Sequence, residues 1–466
     1  MTKRSKAMTR RQALKGAAAF PMIVAPHLAG LANAAAPSNT LNVATIGVGK
    51  QGRFNTRNAA RAGANIVAIC DVDDAQAAEM AKDFPKAKII KDFRQLLERE
   101  RGVDAVMIAT PDHSHATIAI TAMQMGKPVY CEKPLAHTVY ECRRMAQVAR
   151  DNKIATQMGN QGRSFHSIKE FSECIWSGAI GEVREVHCVQ SAFAYSRLNL
   201  LPGINDDHEV PKGFDWDMWI GGAKFRGYNP AYHPGAWRGW TAFGGGNMGD
   251  FVCHIVDPVF LALRLGGPES VVAEARGYDP KIHGETFPPS TKVTFKFPRR
   301  GKLPPVTLTW YDGDEYKPPH PKEVPAGGET IPVPGWREGK QVGGMVVGEK
   351  GTIVYGSHGA RNWRILGEGK MEEYMAGRKQ VPEVLEPGPP PNKNHLAEWL
   401  SACKGWKKAN SNFDYGAPLA EIAMLGNIGI RMLGTELKWD GENMTFPHHP
   451  EANQYLHTQY REGWSL

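Results

Sequence analysis

The chain has 466 residues, 42% hydrophobic and 22% charged, which is too long for a single core and ordinary for a globular protein of two domains. Its net charge of +8 does not argue for a nucleic-acid or acidic-lipid partner, because six positive charges (Lys3, Arg4, Lys6, Arg10, Arg11, Lys15) crowd into the first fifteen residues and the remainder is close to neutral. Seven cysteines, at 70, 131, 142, 174, 188, 253 and 403, have no CxxC spacing and an odd count, so they read as small core residues instead of a disulfide framework or metal site.

The basic stretch is followed by an apolar, alanine-rich run, 16–31, and then by Ala32-Asn33-Ala34, the pattern of a cleaved signal peptide over residues 1–34. Thr9-Arg10-Arg11-Gln12-Ala13-Leu14-Lys15 resembles a twin-arginine export signal, although Ala13 stands where a bulkier apolar residue is usual. Two adjacent arginines in an ordinary secretory signal are the alternative. The mature protein is therefore expected in the periplasm, delivered already folded by the twin-arginine export machinery, with no later apolar run long enough to span a membrane.

From Leu41 the chain alternates between strand and helix. Asn42–Ile46 branches like a buried strand, Gly47-Val48-Gly49-Lys50-Gln51-Gly52 has the GxGxxG spacing, and a helix over 52–62 and a strand over 65–70 follow. In that setting Gly47 permits the tight turn, Gly49 lets backbone approach a pyrophosphate, and Gly52 lets the helix pack on the sheet. Lys50 and Gln51 complete a turn whose free N–H groups favour phosphate. Asp71 ends the second strand, where a carboxylate accepts hydrogen bonds from ribose hydroxyls and repels a 2′-phosphate, so NAD is expected and not NADP. Strands at 87–90, 104–109, 128–131 and 154–158 alternate with helices at 74–83, 92–100, 113–125 and 139–152. The pattern predicts a doubly wound parallel Rossmann sheet over 41–160.

Ligands of such sheets lie beyond the carboxyl ends of the strands. Those ends carry Thr110, Pro111, His113 and His115 after the fourth strand, Glu132-Lys133-Pro134 after the fifth, and Gln161 after the sixth. A cationic Lys133 beside a nicotinamide can hydrogen-bond a substrate hydroxyl and stabilise the developing alkoxide. The two histidines cap the next helix or line the cofactor site, and without a partnering cluster they are not expected to hold a metal. The run ATPDHSHA, the EKP triplet and the glycine turn at these separations resemble the glucose-fructose oxidoreductase, inositol dehydrogenase and MocA (Gfo/Idh/MocA) family. The resemblance implies a pyridine-nucleotide dehydrogenase of sugars or polyols, with Lys133 in the active site and a C-terminal α+β domain built on a large, mostly antiparallel open sheet. It also implies a homo-oligomer, a dimer or tetramer.

The second domain is expected over 161–433, with strand-like runs at 182–191, 270–278, 291–297, 306–311, 343–348 and 351–355. Between the first two lies Trp237-Arg238-Gly239-Trp240, then Gly244 to His254. Asp250 and His254, four apart near the start of a helix expected to reach Leu265, share one helical face. An imidazole titrates near neutrality and suits a proton acceptor, while Asp250 can hold substrate hydroxyls or orient that imidazole. The family has an acid and a histidine or tyrosine at this spacing, which by resemblance makes Lys133, Asp250 and His254 catalytic. Trp237 and Arg238 are candidate substrate contacts, and Tyr195, Tyr228, Tyr232 and His233 candidate wall residues. A proline-rich insertion spans 311–344, a stiff connector 387–391 leads to a helix over 393–404, a helix over 417–433 follows, and residues 434–466 form a tail.

The expected activity is oxidation of a ring hydroxyl on a sugar or polyol, with tightly bound NAD restored within each cycle because free NAD is scarce outside the cytoplasm. A redox-neutral NAD-dependent glycoside hydrolase or lyase is one alternative. A sugar-binding protein without turnover is another, although a binder has no need of a proton acceptor.

Overall fold

The computed structural model describes residues 40–233, 235–324, 341–378 and 395–466. The expected leader, residues 325–340 of the proline-rich insertion and the 387–391 connector lie outside the described residues.

The N-terminal half is β1 (Asn42–Ile46), α1 (Lys50–Arg61), β2 (Asn65–Cys70), α2 (Asp74–Ala81), β3 (Lys88–Ile90), α3 (Phe93–Arg99), β4 (Ala105–Ile108), α4 (His115–Gln124), β5 (Val129–Cys131), α5 (Val139–Asp151) and β6 (Thr156–Met158). Helix entries follow local chemistry. Asp73 and Asp92 accept from backbone N–H groups two residues on, and Thr138 with Glu141 forms a capping box at α5. All strand pairs are parallel, in the order β3-β2-β1-β4-β5-β6. The order reverses between β1 and β4, so the glycine turn after β1 and the loop after β4 flank one crevice.

The second half comprises α6 (His166–Trp176), β7 (Val183–Gln190), α7 (Trp216–Ile220), α8 (Gly246–Ile255), α9 (Asp257–Ala262), β8 (Ser270–Ala275), β9 (Thr291–Phe297), β10 (Val306–Asp312), β11 (Val342–Gly348), β12 (Thr352–Gly356), β13 (Arg361–Ile365), α10 (Lys370–Gly377), α11 (His395–Cys403), α12 (Phe413–Arg431) and β14 (Leu437–Lys438). Its eight-stranded sheet runs β13-β12-β11-β7-β10-β9-β8-β14, antiparallel except for β7 with β10.

Several sequence expectations are corrected. The helix expected to run to Leu265 breaks at Val256, because Pro258 has no N–H to donate and instead opens α9. Its first part begins at Gly246, placing Asp250 in the second turn. The helix expected from Ala417 begins at Phe413, capped by Asn412, and carries Pro418 inside it. Helices α6 and α10 and the edge strands β13 and β14 were not anticipated: β13 is polar on its exposed side and β14 has only two residues.

The largest apolar cluster is continuous from β4 and β5 through α5, α8 and α12 to Val293, Phe295, Leu308 and Trp310 on the inner face of the second sheet. All seven cysteines are buried free thiols. A separate aromatic core, including Phe214, Trp216, Trp219, Tyr232, Trp240 and Phe243, fills the segment between β7 and α8. That segment docks beside Asp71: Asp74 N–H donates to the Gly213 carbonyl at 3.1 Å and Asp215 N–H to the Val72 carbonyl at 2.9 Å. The tail returns over it, where Arg461 pairs with Asp217 at 2.7 Å and Trp464 packs on Phe93.

Candidate active site

The glycine turn has the shape that its sequence requires. Gly47 has φ +80°, and a Cβ there would lie 2.7 Å from the Ala109 carbonyl carbon at the end of β4. A Cβ on Gly52 would lie 1.9 Å from the Gly47 oxygen, so the start of α1 touches the turn directly. At Gly49 a Cβ would meet nothing within 4 Å. The N-terminus of α1 has no side-chain cap and no acid in its first turn, with Lys50 and Gln51 exposed on it. Open space against uncapped N–H groups suits a pyrophosphate. Across the crevice, the Thr110 hydroxyl is buried with no partner among the described residues, a group that a nucleotide would satisfy. The residues therefore fit a dinucleotide.

Asp71 accepts from Val48 N–H at 2.7 Å and Asp73 N–H at 3.0 Å, one bond on each oxygen, which leaves acceptor capacity for ribose. Burial raises its carboxyl to about 6 against the pull of those N–H groups. Pro111 and Gln161 stand at the ends of β4 and β6, where the sequence places them. Glu132 and His115, expected to contact the cofactor, are turned inward. Glu132 accepts from Asn55 Nδ2 at 2.7 Å and from Lys133 N–H at 3.1 Å, and Asn55 in turn accepts from Gln51. The His115 ring spans the carbonyls of Thr110 and Pro134, 2.9 Å from each. The His115 ring supports the crevice wall from behind, and Glu132 braces it through one bond on each oxygen.

Lys133 and Asp250 meet. The ammonium donates to Asp250 Oδ1 at 2.5 Å and to the Asp250 carbonyl at 3.1 Å, leaving one of its three hydrogens for a ligand. The Tyr195 hydroxyl donates to Asp250 Oδ2 at 2.5 Å, and Arg238 Nε lies 3.4 Å from Oδ1. Burial alone would raise the Asp250 carboxyl, but Arg238, Lys133 and Tyr195 hold it well below the usual carboxylate range. The Tyr195 phenol is pushed up by burial and by that same carboxylate, so it remains a donor. Arg238 also pairs with Asp112 at 3.1 Å, and its guanidinium lies 4.3 Å from the Trp237 ring centre, covering one face of that indole.

Asp112 joins the two halves. It is 1% exposed, accepts from Arg238, and accepts from Gly245 N–H at 3.0 Å, capping α8 from the far side of the crevice. Beside it the His113 ring sits against the carbonyls of Phe243 and Trp219, kept neutral by burial, which lowers it to about 4.

His254 is on the expected helical face but is not oriented by Asp250, whose oxygens are taken by the three groups above. Its Nδ1 has no partner among the described residues, and its ring stacks on His358 at 3.8 Å and 19°. Burial first, then His358, Lys133 and Arg238, drives it well below its ordinary range, so it stands as a free base. Sequence reasoning missed Asp112 and His358 and placed Tyr195 only as a wall residue. The available signals were the acid within PDHSHA and a histidine in the glycine-flanked run Gly356-Ser357-His358-Gly359. Among the described residues no three His, Cys, Asp or Glu side chains are grouped to hold a metal.

Two models of one oxidoreductase family match the chain: its NAD-binding Rossmann fold over residues 41–160 and its C-terminal α/β domain over 174–298, together more than half of the sequence. The chain belongs to the Gfo/Idh/MocA family of oxidoreductases. Inositol 2-dehydrogenase 1 of Saccharopolyspora erythraea is 34% identical over 154 residues, 32% of this chain and 45% of the relative, so the chain spans about half the length of the curated relatives it matches. Among solved structures, the aldose-aldose oxidoreductase of Caulobacter crescentus has a TM-score of 0.54 at 18% identity, covering 86% of this chain and 100% of its own. An inositol dehydrogenase homologue of Azotobacter vinelandii has a TM-score of 0.52 at 14% identity, covering 86% and 98%. Both share the fold.

Proposed function

We propose that this protein oxidises a ring hydroxyl of an uncharged sugar or polyol with NAD as hydride acceptor. The observation that carries the reading is Lys133 and Asp250 paired at 2.5 Å at the end of β5, with an unprotonated His254 one helical turn beyond Asp250. Gly47, Gly49, Gly52, Lys50, Gln51, Asp71, Thr110, Pro111 and Gln161 would hold the nucleotide, which when bound supplies a hydride acceptor for the carbinol carbon. Lys133 directs its remaining hydrogen at the substrate oxygen and stabilises the charge that grows there. His254 takes the hydroxyl proton, while Asp250 fixes the ammonium and, through Tyr195, the wall of the pocket. Both cations, Lys133 and Arg238, are matched by Asp250 and Asp112, which favours an uncharged ring over a uronate. Trp237, half-buried between Arg238 and the aromatic core, is the candidate to contact a sugar ring. The named activity of the inositol dehydrogenase relatives supports the same class of substrate.

The leader supports export, and a protein working where NAD is scarce must carry its nucleotide with it. NAD is therefore expected to remain bound through purification and to be restored within each cycle. Heat-denaturing the purified protein and assaying the supernatant for NAD tests retention, and a panel of sugars, polyols and aryl glycosides distinguishes oxidation from cleavage and from simple binding. Lys133→Ala is expected to lower turnover by roughly 10²–10³-fold with NAD still bound. Near-wild-type turnover in that variant would overturn the assignment.

A further inference from the structure

The turn between β12 and β13 is built against the preference of its residues. His358 (φ 59°, ψ 68°), Gly359 (φ 81°, ψ 35°) and Ala360 (φ 56°) are all left-handed. For a non-glycine residue that conformation costs about 1 kcal/mol or more and persists only where surrounding contacts impose it. Here they do. A Cβ on Gly162 would lie 2.4 Å from the His358 and Gly359 backbone, and the Ser167 hydroxyl donates to the Gly359 carbonyl at 2.7 Å. The result is that the His358 ring lies nearly parallel to His254, 3.8 Å away, with its own Nδ1 2.7 Å from the Ser357 hydroxyl.

The groups that act most strongly on His254 disfavour its protonation, although carboxylates pair with two of them. His254 is faced by Lys133 from the loop after β5, Arg238 from the turn before α8, His395 from α11 and His358 itself. His358 is faced by Lys133 and by Arg361 at the start of β13, and by Asp250 as its one opposing carboxylate. Two protonated rings at this separation would repel each other strongly.

We propose that His358 is a positioning residue for His254: held by its strained turn, it covers one face of the His254 imidazole, fixes the ring plane and keeps water away, so that His254 meets the substrate hydroxyl unprotonated. This rests on His254 being the proton acceptor. The state of His358 agrees with it: burial, Lys133 and Arg361 lower that ring to about 4 despite Asp250, so the stack is neutral at physiological pH.

The test compares His358→Gly, which relieves the backbone strain and opens the stack, with His358→Phe, which keeps a flat ring in place. Two quantities are followed: the NMR titration of His254, assigned by its loss in His254→Gln, and the pH profile of kcat/KM for the best sugar found. In His358→Gly the His254 titration and the acidic limb of the profile are expected to move up together by ~1 pH unit or more. Activity should then fall several-fold at pH 6 and recover by pH 8, with KM little changed. In His358→Phe the His254 titration is expected to stay near its wild-type position. If His254 titrates at the same pH in all three proteins, the proposal fails, whatever the turnover. If His254→Gln turns over like wild type, the proton-acceptor reading fails instead, and the titrations still report the stack.

Discussion

At the scale of single residues, buried histidines give this protein a pH dependence whose sign can be worked out. His395 is fully buried, its Nδ1 2.7 Å from the Ser164 hydroxyl and its Nε2 2.7 Å from the Met158 carbonyl. Burial first, opposed by the Met158 bond, lowers it to about 4, against roughly 6.5 in an unfolded chain. Its contribution to stability is therefore complete above pH 6.5 and is lost as pH falls toward 4. His395→Asn should be less stable than wild type at pH 7 by about 1–3 kcal/mol, with the gap narrowing at pH 4.5, as read by calorimetry. A gap that stays constant between those pH values would contradict the assignment. Lys133 and Asp250 were legible from short motifs because each lies inside one. Their meeting was not, because 117 positions separate them, and Tyr195, Asp112 and His358 reach the same pocket from three further places in the chain.

At the scale of elements, the nucleotide turn separates two effects that a sequence motif merges. Gly49→Ala adds a methyl group to open space at an ordinary φ of −63°, so the protein should keep its stability within about 0.5 kcal/mol while NAD binding weakens. Gly52→Ala drives a carbon into the Gly47 carbonyl and should cost stability as well, by about 1–3 kcal/mol or more. Paired melting curves and NAD titrations check this, and equal melting temperatures for the two variants would refute it. The parallel strands were readable to within about two residues because they are short apolar runs bounded by turn residues. The second sheet was less readable at its margins. β13 exposes arginine and asparagine on an edge, and α8 ends at Ile255 because Pro258, three residues on, forces a new start. Local pattern carries a strand when one face is buried, and carries little when tertiary contacts alone hold it in place.

At the scale of the whole molecule, the segment between β7 and α8 and the C-terminal tail are supports that periodicity did not announce. Tyr460 donates to buried Glu141, Arg461 reaches the Gly221 carbonyl and Asp217, and Trp464 packs on Phe93 under the Arg94 guanidinium. Removing residues 457–466 should lower the melting temperature and make the 203–233 region sensitive to protease, while circular dichroism of the sheets changes little. Unaltered proteolysis would show that the tail is dispensable. The cap that Asp112 places on α8 has a broader consequence. A carboxylate from the nucleotide half tethers the helix bearing Asp250 and His254 in the other half, so the two walls of the cleft cannot swing apart as independent bodies without baring a buried charge. On the proposed reading, small molecules are expected to enter and leave by way of the rim loops, and loss of this tether is expected to lower turnover without touching either reactant.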